Sequence, residues 1–211
     1  MDKNLSSADE IKAIKKIMEE SSRFLSLSGL SGVFAGSFAI IGAAVAYFLI
    51  LQNGSIHYDD YFRNLTGEET VSLRWQFVFD AAAVLLFSVL FSFIFSLKKA
   101  KRDGKRFWTP ASKKMLINLL IPLVTGGIFV LILLIQNFIQ LVVPGFLIFY
   151  GLGLINAGKF TYNEIFYLGI LEIITGLVSS VFPEYWIIFW IFGFGILHIV
   201  YGVFMYRKYE A

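Results

Sequence analysis

The chain has 211 residues, 57% of them hydrophobic and only 16% charged, with a mean hydropathy of +0.72 and a formal net charge of +3. That is far too apolar for an ordinary water-soluble domain and places the chain in a bilayer. The absence of cysteine excludes disulfides, thiolate metal centres, iron–sulfur clusters and thiol catalysis.

Residues 1–22 mix charges and hold no apolar run, which argues against a cleaved signal peptide and leaves the first span as the targeting signal. Ser7-Ala8-Asp9-Glu10 has the spacing of a capping box. Behind it Ile11, Ile14, Ile17 and Met18 recur at helical spacing among Lys12, Lys15 and Lys16. The segment reads as a short amphipathic helix, and residues 23–211 as one transmembrane domain.

Six apolar stretches follow, near residues 25–51, 77–97, 115–135, 141–156, 165–182 and 185–206. Most approach the roughly 20 residues that cross about 30 Å of hydrocarbon. The expected fold is all-α, a polytopic membrane helical bundle of six transmembrane helices. Pro144 falls in the first turn of the fourth stretch, where a missing N–H costs little, and Thr109-Pro110 reads as N-cap and first residue of the helix leading into the third.

Lysine and arginine set the orientation. Sixteen of the 18 fall on the side of the two termini, eight of them between Lys98 and Lys114, and only Arg63 and Arg74 fall on the other. Both termini are therefore expected in the cytoplasm, which requires an even number of spans. The Lys98 to Lys114 run is explained as this topology signal, with anionic lipid headgroups its natural extra partner and no nucleic acid expected. On the outer side, between Gln52 and Gln76, His57, Asp59 and Asp60 make a weak metal pattern, and Asn64-Leu65-Thr66 matches a glycosylation tripeptide. No metal or other cofactor is expected.

Small residues mark helix contacts. Ser28, Gly32 and Gly36 form one ridge and Ser88, Ser92 and Ser96 another. Phe87, Phe91, Phe93 and Phe95 are packing or lipid-facing groups, and Tyr47, Tyr150, Trp186, Trp190, Tyr206 and Tyr209 suit the membrane interface. Two-residue steps recur at Ser31-Gly32, Thr125-Gly126 and Thr175-Gly176, and Gly151-Leu152-Gly153 precedes Asn156 as Gly193-Phe194-Gly195 precedes His198. Repeated helical hairpins explain these matches, spans 3–4 and 5–6 being the closer copies and spans 1–2 a diverged one. Frequent Gly, Ser and Thr at helix contacts explain them as well.

The residue that most needs a reason is Glu172, set inside the apolar run LGILEIITGLVSS. It shares a helix face with Gly169, Gly176 and Ser179, so it points into the bundle. In span 6, Gly195, His198 and Gly202 form a similar face. Counted from the terminus side, Glu172 and His198 lie at the same depth, about 12 Å. The two are expected to interact, with Asn118, Asn156 and Tyr201 as further polar neighbours, either as a proton relay or substrate site or as hydrogen-bonded glue between helices. Asp80 reads as an acid within one turn of the outer end of span 2, reached by headgroup water and favoured by the helix dipole.

The stretches SSRFLSLSGLSGVFAG, LINLLIPLVTGGIF, LIFYGLGLINAGKFT and FGFGILHIVYG resemble a family of uncharacterised bacterial six-span inner-membrane proteins. The resemblance implies bacterial origin and six spans and carries no activity, ligand or site. Two functions stay open: a small transporter or channel-like protein using Glu172 and His198, and a membrane scaffold or sensor subunit whose basic cytoplasmic face engages a protein partner. Either leaves room for a homo-oligomer. No nucleophile–base pair, paired aspartates or metalloprotease motif is visible, so an enzyme is not expected.

Overall fold

The computed structural model describes residues 23–51 and 67–211. The proposed N-terminal amphipathic helix, His57, Asp59, Asp60 and the Asn64 tripeptide lie outside the described residues. Among the described residues, six helices are long and apolar enough to cross a membrane: span 1 Gly29–Ile50, span 2 Val71–Arg102, span 3 Pro110–Ile135, span 4 Ile139–Gly158, span 5 Asn163–Val181 and span 6 Pro183–Tyr209. This is the all-α helical bundle of a multi-pass membrane protein.

Span 3 starts at Pro110 rather than near residue 115, and spans 1 and 2 also differ from the sequence reading. Span 1 begins at Gly29 rather than Leu25, because residues 23–28 form a non-helical strap across the end of the bundle that holds Glu210. The strap has its own partners for the backbone, so it need not be helical. Phe24 N–H donates to the Phe160 carbonyl at 2.7 Å, Thr161 Oγ1 donates to the Phe24 carbonyl at 2.6 Å, and Tyr162 donates to the Leu25 carbonyl at 2.6 Å. Phe24, Ser26 and Ser28 alternate inward and are buried, as an extended segment requires.

Span 2 extends well past residues 77–97, as part of one helix from Gly67 to Arg102. Lys99, Lys101 and Arg102 occupy its last turn, where cations suit the helix dipole, and Gly104 at φ 65° supplies the left-handed turn that ends it. Asp80 consequently sits nine residues inside Val71, facing Gly42 of span 1, and not at a helix N-terminus. Thr109 does cap the helix of span 3: its hydroxyl accepts from Ser112 N–H at 3.1 Å, and the Ser112 hydroxyl accepts from Thr109 N–H at 2.8 Å.

The spans pack side by side in the order 2–1–6–5–4–3. At the end of the bundle away from Glu210, Arg74 of span 2 donates to Asn137, in the turn after span 3, at 2.7 Å. The tightest interfaces are 1 with 6 and 4 with 5, and they use one device four times: Gly36-x3-Ile40 meets Gly195-x3-Ile199, and Gly151-x3-Ile155 meets Gly169-x3-Ile173. A Cβ at Gly36 would lie 2.5 Å from the Gly195 carbonyl oxygen, and one at Gly151 would lie 2.6 Å from that of Gly169. Only glycine allows backbones so near.

The expected ridge of Gly32 and Gly36 is thus an interface with span 6, and Gly176 and Gly195 likewise sit at close contacts. Ser28 is the N-cap residue rather than a ridge member, and Ser96 accepts its N–H at 3.4 Å. Ser88 and Ser92 are only half-buried. Span 2 meets span 1 chiefly through rings, Phe87, Phe91 and Phe95 against Phe34 and Phe38, because serines alone offer too little apolar surface there. The repeat seen in the packing pairs Gly151 with Gly195, two residues out of step with the Gly-x-Gly alignment that set Asn156 against His198.

Candidate functional site

Glu172 stands nine residues from either end of the helix Asn163–Val181, at the centre of span 5. It is fully buried, with 0% of its surface exposed. His198 begins the last helical segment of span 6, directly after a π-helical turn over Ile191–Leu197 that contains Gly193 and Gly195. Wide turns of this kind recur at functional positions in helices. Here it aims the Gly193 carbonyl at the imidazole, which holds it through Nδ1 at 3.1 Å. The same Nδ1 stands 3.3 Å from Glu172 Oε1, so the expected pair is formed.

A third member comes from span 4. The Tyr150 hydroxyl lies 2.7 Å from His198 Nε2, making a chain of phenol, imidazole and carboxyl across three helices. With Nδ1–H donating to the Gly193 carbonyl, Nε2 is the acceptor and Tyr150 the donor. Neither oxygen of Glu172 has a hydrogen-bond partner. A bare carboxylate in such a place would cost several kcal/mol.

Glycine at 193 makes room for the acid. A Cβ there would lie 2.8 Å from Glu172 Oε2 and 2.5 Å from Leu147 Cδ2. Leu147, itself fully buried, covers the site from span 4.

The other expected polar neighbours do not join. Asn118 donates to the Lys114 carbonyl of its own helix at 2.8 Å, and Asn156 accepts from Lys159 at 3.3 Å, each side chain finding a local partner nearer the terminus face. Tyr201 packs with Leu154, Ile165 and Leu168 one turn away and makes no bond to the pair. Tyr150, read from sequence as an interface aromatic, is instead the partner of the histidine. The signal that could have found it is its face: Leu147, Tyr150, Gly151 and Leu154 recur at helical spacing, and Gly151 is the residue that touches span 5.

A second buried polar cluster closes the terminus end. Lys99 and Glu210 pair at 3.6 Å, each side chain only 3% exposed. Glu210 accepts from the Ser28 hydroxyl at 3.0 Å and from Gly29 N–H at 2.5 Å, capping the first transmembrane helix with a carboxylate from the far end of the chain. Lys99 also donates to the Leu27 carbonyl at 2.7 Å and to the Tyr162 hydroxyl at 3.2 Å. Lys99 is thus buried, whereas the other seven basic residues of the Lys98 to Lys114 run are exposed. The Tyr162 hydroxyl titrates well above the ordinary tyrosine range, first because it is buried and then because Tyr209 and Glu210 lie nearby.

No protein-family model matches the chain, and neither a curated protein nor a solved structure matches it.

Proposed function

We propose that the protein is a bacterial inner-membrane protein with both termini in the cytoplasm, and that it is a small transporter or channel-like protein that moves protons through the Tyr150, His198 and Glu172 chain. One observation carries the reading: a carboxyl group at mid-span, wholly buried and without a hydrogen-bond partner, 3.3 Å from an imidazole that a tyrosine holds on its other side. Intramembrane acids of this kind are expensive to keep and serve proton or ion movement in many membrane proteins. The orientation rests on the lysine and arginine asymmetry, and the bacterial membrane on the family resemblance.

The test is proton flux driven by a pH step in liposomes holding the purified protein. Wild type should conduct, while Glu172→Gln and His198→Ala should lose the flux and keep the fold. Wild-type liposomes no leakier than empty ones would overturn the reading. The seven exposed basic residues of the Lys98 to Lys114 run favour a second one, a scaffold or sensor subunit whose cytoplasmic face binds anionic lipid or an acidic protein partner.

A further inference from the structure

Among the described residues, four buried side-chain atoms lack a hydrogen-bond partner: Arg74 Nε, both carboxyl oxygens of Glu172, and Ser179 Oγ. Three of the four lie on one face of span 5, seven residues apart, with Thr175 and Gly176 on the same face between them. Glu172 and Ser179 are both 0% exposed. Buried oxygens in native proteins are nearly always satisfied, by protein or by ordered water. Span 5 thus presents polar oxygens from its centre to within one turn of its outer end.

The two sides of Glu172 are closed very differently. Towards the termini, Leu154, Ile165 and Leu168 form a buried apolar cluster with Tyr150, Leu197 and Tyr201 packed on it. Beside it the backbones of Gly151 and Gly169 touch. Towards the outside, span 4 lays Leu147 and Ile148 over Gly176. Leu147 Cβ lies 3.0 Å from where a Cβ would stand on Gly176, and its Cδ2 reaches over Gly193, next to Glu172 Oε2. Parting that cluster and the backbone contact would mean moving helices, whereas Leu147, the side chain that reaches the carboxyl itself, can change rotamer.

We propose that Glu172 exchanges protons with the outer solution along the Thr175–Ser179 face of span 5, with Leu147 as the gate. Hydronium passing Ser179 gives its proton to the Glu172 carboxylate, forming the acid O–H bond and leaving one water. This deepens the proton-handling reading by giving the site a side, and rests on it.

The cysteine-free chain allows a direct test. Single variants Ser179→Cys and Glu172→Cys in proteoliposomes are treated with a membrane-impermeant methanethiosulfonate on either side, with Gln136→Cys marking the outer face and Lys105→Cys the terminus face. Ser179→Cys should react from the side that labels Gln136→Cys. Glu172→Cys should react slowly, and about tenfold faster when Leu147→Ala is added. Adding Ile165→Ala should leave its rate unchanged. Protection of Ser179→Cys from both sides, or labelling of either cysteine only from the terminus face, overturns the proposal. So does a Glu172→Cys rate indifferent to Leu147→Ala. Flux by the wild type alongside any of these would leave the proton site standing and refute only its outward access. Outer labelling with no flux would instead retain the path and refute proton transport.

Discussion

Removing the amine of Lys99 tests how the terminus end of the bundle is held. The Lys99 and Glu210 charges are 3.6 Å apart, and at the effective dielectric of protein sites their attraction is about 5 kcal/mol. Both side chains are 3% exposed, so either charge left alone would be stranded in a poorly solvated place. Breaking such a pair costs about 3–5 kcal/mol. Lys99→Met should fall at the lower end, about 3 kcal/mol, because Glu210 keeps the Ser28 hydroxyl and Gly29 N–H. Glu210→Gln should cost about as much, since Lys99 keeps only the Leu27 carbonyl and the Tyr162 hydroxyl. The double variant strands no charge, so it should lose well under the sum and show a coupling of at least about 2 kcal/mol. Equilibrium unfolding in mixed micelles, followed by tryptophan fluorescence, measures each value, and added salt should leave the coupling intact because the pair is buried. Additive losses, or a Lys99→Met variant as stable as wild type within about 0.5 kcal/mol, would refute the reasoning.

The glycine interfaces make a paired prediction. Gly151→Ala drives a methyl to within 2.6 Å of the Gly169 carbonyl and should destabilise the bundle by about 1–3 kcal/mol, whereas Gly127→Ala, with nothing within 4 Å, should be neutral or slightly stabilising in the same unfolding assay. Tyr162 predicts the alkaline limit of stability. Its folded pKa is raised above the ordinary 10.0, so the folded state keeps a proton that the unfolded state gives up, and stability falls as pH rises past about 10. Tyr162→Phe should flatten that decline in thermal scans. A slope unchanged by the substitution would remove Tyr162 as its cause.

The sequence by itself determined the six spans, because each carries enough consecutive apolar residues to replace water with lipid along its whole length. It also determined the meeting of Glu172 and His198. Equal depth on two inward faces of neighbouring spans leaves little else for a buried acid and a buried imidazole to do. Thr109 and Pro110 were legible for a similar reason, since a capping box is local chemistry.

What lay beyond the sequence was every contact whose partner is far along the chain. Glu210 caps Gly29 across 181 positions, and nothing in a penultimate glutamate marks it as the end of another helix. Lys99 reads as one cation in a basic run, and only the strap across the bundle end turns it inward. Asn118 and Asn156 sit on plausible faces, yet each finds a nearer partner in its own helix or turn. Tyr150 looks like an interface ring until span 4 is placed against span 6. Periodicity fixes which face of a helix is buried, but the rotation and neighbour order of the six helices decide what that face meets. Those are set by the close glycine contacts of spans 1 with 6 and 4 with 5, which exist only once the chain has folded.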